Sequence, residues 1–231
     1  MKLSSTSIVW TCLNGLSSAT TTIPTPHVRV PSCNHGQAAH LSYSKALPDL
    51  SSFPLTHVDL CYSDKFVEFK LTAYNETSFF YNASQGTNDW IFEYEVMEIF
   101  MARETEVPIT YFEFEINPNN ITFQTFVFNP SGRRAPGTPF DHFPVPDPFT
   151  DGISGKTVLD RPGHVWTSYA KIPLGFFNVI DGKARGTKWR MNFFRTVTDS
   201  TMFPKQLMGA WNPPDVADFH VTPYFGRFTF V

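Results

Sequence analysis

The chain has 231 residues, with 18 Lys and Arg against 21 Asp and Glu and a formal charge of −3. This balance lacks the basic surface that attracts nucleic acids and anionic membranes, so neither is expected as a partner. Charged residues make up 17% and aromatic residues 16%, which excludes a disordered chain or a coiled coil and predicts one domain with an aromatic-rich core.

The N-terminal residues 1–19 have the pattern of a weak secretory signal. A short apolar stretch from Ile8 to Leu13 leads into small residues, and cleavage is expected near Ala19. A disordered tail is the alternative. No uninterrupted apolar run approaches the roughly 18 residues that span a bilayer. The mature protein is therefore expected to be secreted or lumenal, without a membrane span.

Three acceptor sequences for N-glycosylation support the secretory route. They begin at Asn75, Asn82 and Asn120, and two of them lie beside turn residues from which a glycan can project.

The cysteines suggest one disulfide. With Cys12 removed in the signal, Cys33 and Cys61 remain as an even pair in an oxidising compartment. A Cys33–Cys61 disulfide would tether an N-terminal arm, residues 20–58, to the first strand of a sandwich domain, residues 59–231.

A metal site at the same cysteine is the alternative to the disulfide. It would combine Cys33 with His35 and His40, but this segment lacks a second Cys or the paired His spacing of zinc sites. No metal ligand and no cofactor is assigned.

Alternating apolar and polar residues predict strands over residues 66–71 and 109–116. In the second strand Phe112 and Phe114 face one side, and Glu113 and Glu115 the other. Further strands are predicted over 90–101, 121–128, 165–172, 188–195 and 225–230. No segment has a sustained helical period. The fold class is therefore an all-β, antiparallel β-sandwich.

A Pro- and Gly-rich segment interrupts the strands at residues 129–163, which contain seven prolines and five glycines. Loops of this length inside a compact domain are usually functional or disordered. Phe140, His142, Phe143 and Phe149 favour order, because disordered segments rarely carry so many aromatic residues. We expect an ordered arm across one mouth of the sandwich; simple closure of the core edge is the alternative.

No sequence motif for phosphate binding, zinc-dependent proteolysis or serine hydrolysis is present. A glycosidase needs two carboxylates flanking a sugar bond, and Glu98, Glu113 and Glu115 lie on neighbouring predicted strands where they can converge. Carboxylates that face water or pair with Lys70 or Arg190 explain the same residues.

The strand at residues 189–195 is polar on both faces. Arg190, Asn192 and Phe194 share one face, and Arg195 lies on the other with apolar neighbours. Such a strand is favourable if Arg190 and Asn192 line a cavity and meet a polar ligand group. An internal ion pair of Arg190 with Glu98 or Glu115 is the alternative.

Five segments carry a resemblance over approximately residues 59–231. In chain order they are Tyr94–Phe100, Phe112–Pro118, Trp189–Arg195, Ala210–Pro213 and Phe219–Gly226. Together they resemble the family 9 carbohydrate-binding-module-like, or DOMON-like, jelly-roll sandwich. More narrowly, they resemble its secreted fungal branch, which includes hetero-Diels-Alderases of tropolone-sesquiterpenoid biosynthesis. The resemblance implies a ligand site on the concave side of the sandwich.

Two functions follow from the resemblance. One is a non-catalytic sugar binder, in which two of Trp90, Trp166 and Trp211 clamp a glycan end. The other is a cofactor-independent pericyclase that joins a tropolone o-quinone methide to a humulene-type sesquiterpene, where orientation alone can contribute on the order of 7–11 kcal/mol. No catalytic domain is expected beside the sandwich and Phe is abundant, so the sequence favours the enzyme, with an apolar polycyclic small molecule or a glycan as partner.

The residue roles in this interpretation are hypotheses. Arg190 and Asn192 would donate hydrogen bonds to the tropolone oxygens, and Glu98 or His142 would assist loss of water as an acid. The expected ligand-contacting residues are Trp90, Phe194, Trp211 and His220. For His142 and His220 a structural hydrogen bond is the alternative.

Overall fold

The structure is a computed structural model that describes Ile23 and residues 25–231. The predicted signal, residues 1–19, and Cys12 lie outside the described residues. In the described part, thirteen strands form two sheets that pack face to face around one main core. The prediction of an all-β sandwich is confirmed.

The strands in chain order are β1 (His27–Val30), β2 (Ala39–Lys45), β3 (Ser52–Tyr62), β4 (Phe66–Tyr74), β5 (Met97–Ala102), β6 (Thr110–Ile116), β7 (Thr122–Phe128), β8 (Asp141–Pro144), β9 (Ser154–Asp160), β10 (Val165–Pro173), β11 (Lys188–Val197), β12 (Leu207–Ala210) and β13 (Gly226–Phe230). Short 3-10 helices occupy Asn34–Gly36, Ile91–Glu93, Leu174–Phe177 and Thr222–Tyr224.

The larger sheet has the order β1-β13-β11-β5-β6-β7-β8, with β12 paired to β11, and the smaller sheet has the order β2-β3-β4-β10-β9. Neighbouring strands are antiparallel except β1 and β13, which are parallel. Strands β1, β2 and most of β3 belong to residues 20–58, so the sandwich begins well before the predicted boundary at residue 59. Ala39, Leu41 and Tyr43 of β2 alternate with exposed polar residues, and Val58, Leu60 and Tyr62 of β3 are buried at the same period of two, so the strand signal is present in this part of the sequence although no strand is predicted there.

The predicted strand at 90–101 is shorter in the structure. Its first part forms the Ile91–Glu93 helix, and β5 begins at Met97. The side chain of Asp89 accepts a hydrogen bond from the Gly86 amide, and the Ile91 amide donates to the Asp89 carbonyl. These contacts hold a turn that a strand cannot continue through.

Residues 129–163 also contain more regular structure than the predicted loop. Strand β8 pairs with β7, and β9 pairs with β10. Strand β8 has only four residues among prolines, and the inward positions of β9 are Gly155, Thr157 and Leu159, so neither strand has a run of alternating apolar residues. Strand β8 brings His142 to the edge of the larger sheet.

The disulfide between Cys33 and Cys61 is confirmed, with the two Cα atoms 4.9 Å apart. It links the chain after β1 to β3, and so joins the two sheets near one end. Because Cys33 is bonded to Cys61, the alternative metal site at this cysteine is excluded.

Candidate functional site

The face of the larger sheet turned away from the smaller sheet is called the outer face here. Strand register places Glu98 of β5 opposite Glu115 of β6, and Phe100 opposite Glu113. Alternation sends the neighbours Phe112 and Phe114 into the main core, as the sequence predicts. Three carboxyl side chains therefore meet on two adjacent strands.

These carboxyls form the floor of a cavity of about 330 Å³ on the outer face. Its walls come from β8, from the loop after β12 and from the loop after β7. The lining residues are Phe92, Glu98, Glu113, Glu115, Arg134, His142, Thr196, Gln206, Met208, Ala217, Asp218, Phe219 and His220. The volume is at the small end of the range for ligand pockets, about 300–1,000 Å³.

The carboxyl groups on the floor are buried, and three of their oxygens lack a donor. Oε2 of Glu113 and both carboxyl oxygens of Glu115 accept no hydrogen bond from an amide, hydroxyl or basic side chain of the described residues, and the Glu113 and Glu115 carboxyls have only each other as hydrogen-bond partners on the floor. Burial raises the pKa of Glu113 to about 7, and burial together with mutual repulsion raises the pKa values of Glu98 and Glu115 well above their ordinary range. The floor thus presents carboxylic acids as well as carboxylates at neutral pH.

Two histidines stand over Glu113. His142 on β8 has Nε2 3.9 Å from Glu113 Oε2, and the pKa of His142 is lowered by burial and by Arg134. His220 binds the Tyr111 hydroxyl through Nδ1 and stacks on Phe100, and burial lowers its pKa well below 6.5. Both rings are therefore neutral near pH 7, which argues against His142 as the acid.

An exposed aromatic pair adjoins the cavity, which one of the two rings lines. Phe92 lines it, and Trp90 lies 6.0 Å away, centroid to centroid, in a stacked arrangement. Trp90 is 65% exposed, more than any Phe side chain among the described residues. On another wall the Arg134 guanidinium lies 4.3 Å over the Phe140 ring.

The decisive similarity is to a fungal protein. Over 206 residues the chain is 47% identical to a curated "Extracellular protein" of Arthroderma benhamiae, covering 89% of this chain and 91% of the relative. The chain belongs to the family of that extracellular protein. No family model matches it.

Solved structures give the fold type of this family member. A candidate carbohydrate-binding protein from Bacteroides uniformis superimposes with a TM-score of 0.68 at 13% identity, covering 90% of this chain and 100% of that one. A family 9 carbohydrate-binding module from Caldicellulosiruptor kristjanssonii, in complex with cellotriose, gives 0.56 at 14% identity, covering 88% and 93%. The glucose complex of a family 9 module from the same organism gives 0.58 at 13% identity, covering 89% and 95%. The fold is that of the family 9 carbohydrate-binding sandwich.

Asn192 does not line the cavity. Its side chain is fully buried and donates to the Asn212 carbonyl, while its Oδ1 accepts from the Asn212 amide. The predicted role as a donor to a ligand is wrong, because the loop after β12 covers this part of the outer face and saturates the amide.

Arg190 lies apart from the three carboxyls. It is 3% exposed, at the edge of a separate cavity near Glu106 and Arg227. Burial and the Arg227 charge lower its pKa, and no described carboxylate forms a salt bridge with it. The alternative ion pair with Glu98 or Glu115 is therefore absent from the described structure.

The predicted aromatic contacts separate into different environments. Phe194 is buried and stacks on Phe219, with ring centroids 4.3 Å apart. Trp211 packs on Phe228 and Trp166 is fully buried, so neither lines the cavity. Of the aromatic residues that the sequence predicts as ligand contacts, Trp90 has an exposed ring next to the cavity, through its stacking on Phe92.

The glycosylation acceptors remain predictions. Asn75 and Asn120 are exposed at positions of positive φ, whereas Asn82 is half-buried and caps its own turn by accepting from the Ser84 amide. No helix among the described residues is long and apolar enough to cross a membrane.

Several cavity residues were not singled out from the sequence. Arg134, Phe92 and Asp218 lie in loops or in a 3-10 helix, where no periodic pattern marks a direction. Glu113 and Glu115 were predicted to converge with Glu98, and the spacing of two on one strand was the useful signal. Their burial was the unexpected part.

Proposed function

We propose that the protein is a secreted carbohydrate-binding protein that takes a sugar ring into the outer-face cavity. One observation carries the proposal: buried carboxyl oxygens without a donor, on Glu113 and Glu115, lie on the floor of a cavity bordered by an exposed aromatic pair. The extracellular relative and the disulfide support secretion.

The chemistry of the cavity suits a sugar. Hydroxyl groups donate to carboxylates, and a sugar hydroxyl can also accept from a protonated carboxyl, so a mixed floor matches a polyhydroxylated ligand. A pyranose ring presents apolar C–H groups on its faces, which pack against exposed rings such as Trp90 and Phe92. The cavity volume favours one or two sugar units.

The structural neighbours support the same ligand class. Two of them are family 9 carbohydrate-binding modules whose complexes contain cellotriose and glucose. Their sequence identity to this chain is too low to transfer individual residues. The proposal therefore depends on the cavity of this chain, and the neighbours supply only the architecture.

A test is calorimetric titration of the glycoprotein with glucose, cellobiose and cellotriose, preceded by a glycan array. We expect binding of at least one sugar, and Trp90→Ala should weaken it about tenfold because an exposed stacking surface is removed. Phe149→Ala is the matched control, since Phe149 is 58% exposed and does not line the cavity. Absence of sugar binding, or equal loss in both variants, would contradict the proposal.

The pericyclase is a second candidate because of one side chain. Burial raises the pKa of Glu98 well above its ordinary value, which keeps a proton available for the loss of water from a hydroxymethyl tropolone. Incubation with a hydroxymethyl tropolone and humulenol should then give one stereoisomer, and Glu98→Gln should abolish the excess over the uncatalysed mixture. A product mixture identical to that without protein rejects this candidate.

A further inference from the structure

The strongest unassigned feature is a set of possible metal ligands at the wall of the cavity. Ligand atoms of Glu113, His142 and His220 all lie within 4.8 Å of one another. In a tetrahedral zinc site with bonds of about 2.0–2.1 Å, neighbouring ligand atoms are about 3.3 Å apart. Rotation of the Glu113 and His142 side chains toward His220 would close this difference, and His142 Nε2 and Glu113 Oε2 are already 3.9 Å apart.

The second observation is the unpartnered carboxylate. Glu113 is 3% exposed, and its Oε2 has no hydrogen-bond donor among the described residues. A buried polar atom without a partner is unfavourable, and native proteins usually supply one. A cation between Glu113 and the two histidines supplies that partner and offsets the repulsion from Glu98 and Glu115.

His220 is already oriented as a metal ligand. The Tyr111 hydroxyl engages its Nδ1, which leaves Nε2 for coordination. Metal-bound imidazoles characteristically use their other nitrogen in this way, and the partner fixes the tautomer and the ring direction. Phe100 and Phe140 pack against the ring and limit its rotation. Tyr111 is therefore a positioning residue for this site.

We propose that Glu113, His142 and His220 bind one divalent transition-metal ion of the zinc class, with a fourth position open to the cavity. Two imidazoles and one carboxylate suit this class, whereas Ca²⁺ prefers six to eight oxygen ligands. The inference does not depend on the proposed sugar, since the ion alone is the probe.

The test uses tag-free, full-length glycoprotein, stripped with a chelator and titrated with Zn²⁺ in competition with a chromogenic chelator. We expect one equivalent to bind. His142→Ala should lower the affinity for Zn²⁺ at least tenfold. Because the His142 side chain is 39% exposed, its truncation should not unfold the protein. Tyr111→Phe should lower it by about ten- to a hundredfold through loss of the orienting hydroxyl. His40→Ala, at a surface histidine outside the cavity, should leave binding unchanged.

Co²⁺ gives a second readout, because a four- or five-coordinate site absorbs visible light more strongly than a six-coordinate aqueous ion. We expect this band in the wild type and in His40→Ala, and its loss in His142→Ala. No Zn²⁺ binding by the wild type, undiminished binding by His142→Ala, or displacement of Zn²⁺ by equimolar Ca²⁺ would each overturn the proposal. The Tm of each variant, measured by thermal unfolding, distinguishes loss of a metal-ligating side chain from loss of the folded structure.

Discussion

At the scale of single residues, burial decides what each charged group does. Arg195 and Arg190 lie on opposite faces of β11, and both are almost fully buried. Arg195 points between the sheets and binds Glu76, with Nη2 and Oε2 2.7 Å apart and both side chains at most 1% exposed. Glu76 also accepts from the Ser78 and Phe79 amides. This network stabilises the loop after β4 against the core.

Glu76→Gln should destabilise the fold by about 3–5 kcal/mol, because it leaves the guanidinium charge buried and unpaired. Chemical denaturation measures the free energy of unfolding. The control is Asp215→Asn, which breaks the exposed pair with Arg133, 41% and 52% exposed, and should change stability by no more than about 1 kcal/mol. Similar changes in the free energy of unfolding for both variants would show that burial does not determine how much an ion pair stabilises this protein.

At the scale of elements, the sequence predicts most strands well, but it does not predict which loops fold over the outer face of the larger sheet. Period-two alternation placed β4, β6, β7, β10, β11 and β13 within a few residues of their observed bounds. It also assigned Arg190, Asn192 and Phe194 correctly to one face. It could not show that residues 211–225 fold over that face, because loops have no period and their seating depends on tertiary contacts. Asn192 was therefore predicted as ligand-facing when it binds the covering loop.

Gly226, where β13 begins, shows how closely the Trp211 side chain packs at the margin of the main core, beside Phe228. A Cβ at this position would overlap the Trp211 ring, at 2.7 Å from its Cη2 atom. Gly226→Ala should therefore displace Trp211 and destabilise the protein by about 1–3 kcal/mol, with a changed tryptophan emission spectrum. Gly175→Ala is the control, since nothing lies within 4 Å of its added carbon. An unchanged emission spectrum and stability in Gly226→Ala would refute the close fit.

At the scale of the whole molecule, buried carboxyls couple stability to pH. Glu95 is fully buried, and its pKa is raised to about 8 by burial and by the Glu76 charge, although the Phe80 and Thr198 amides donate to it. The unfolded chain releases the corresponding proton near pH 4.5. Between these two pH values the folded protein binds more protons than the unfolded chain. The contribution of Glu95 to the free energy of unfolding is therefore complete below about pH 4.5 and is lost as pH rises through 8.

The cavity carboxyls act in the same direction, because burial raises their pKa values as well. His142 and His220 act in the opposite direction, since their lowered pKa values favour folding as pH rises, until the unfolded imidazoles have lost their protons at about pH 7.5. Most of this histidine effect lies below pH 6.5, where the unfolded imidazoles are half protonated. Between pH 6.5 and 8.5 the carboxyl effect therefore exceeds the remaining histidine effect.

We expect the Tm, measured by calorimetry with a chelator present, to fall by about 4 °C or more between pH 6.5 and 8.5. Glu95→Gln should reduce this fall in Tm, because a glutamine side chain does not titrate. Glu93→Gln, at an exposed position four residues before the start of β5 in the same segment, should leave the dependence of Tm on pH as in the wild type. A Tm that is constant or rises over this range would show that Glu95 is ionised in the folded protein, and that the Phe80 and Thr198 amides outweigh its loss of hydration.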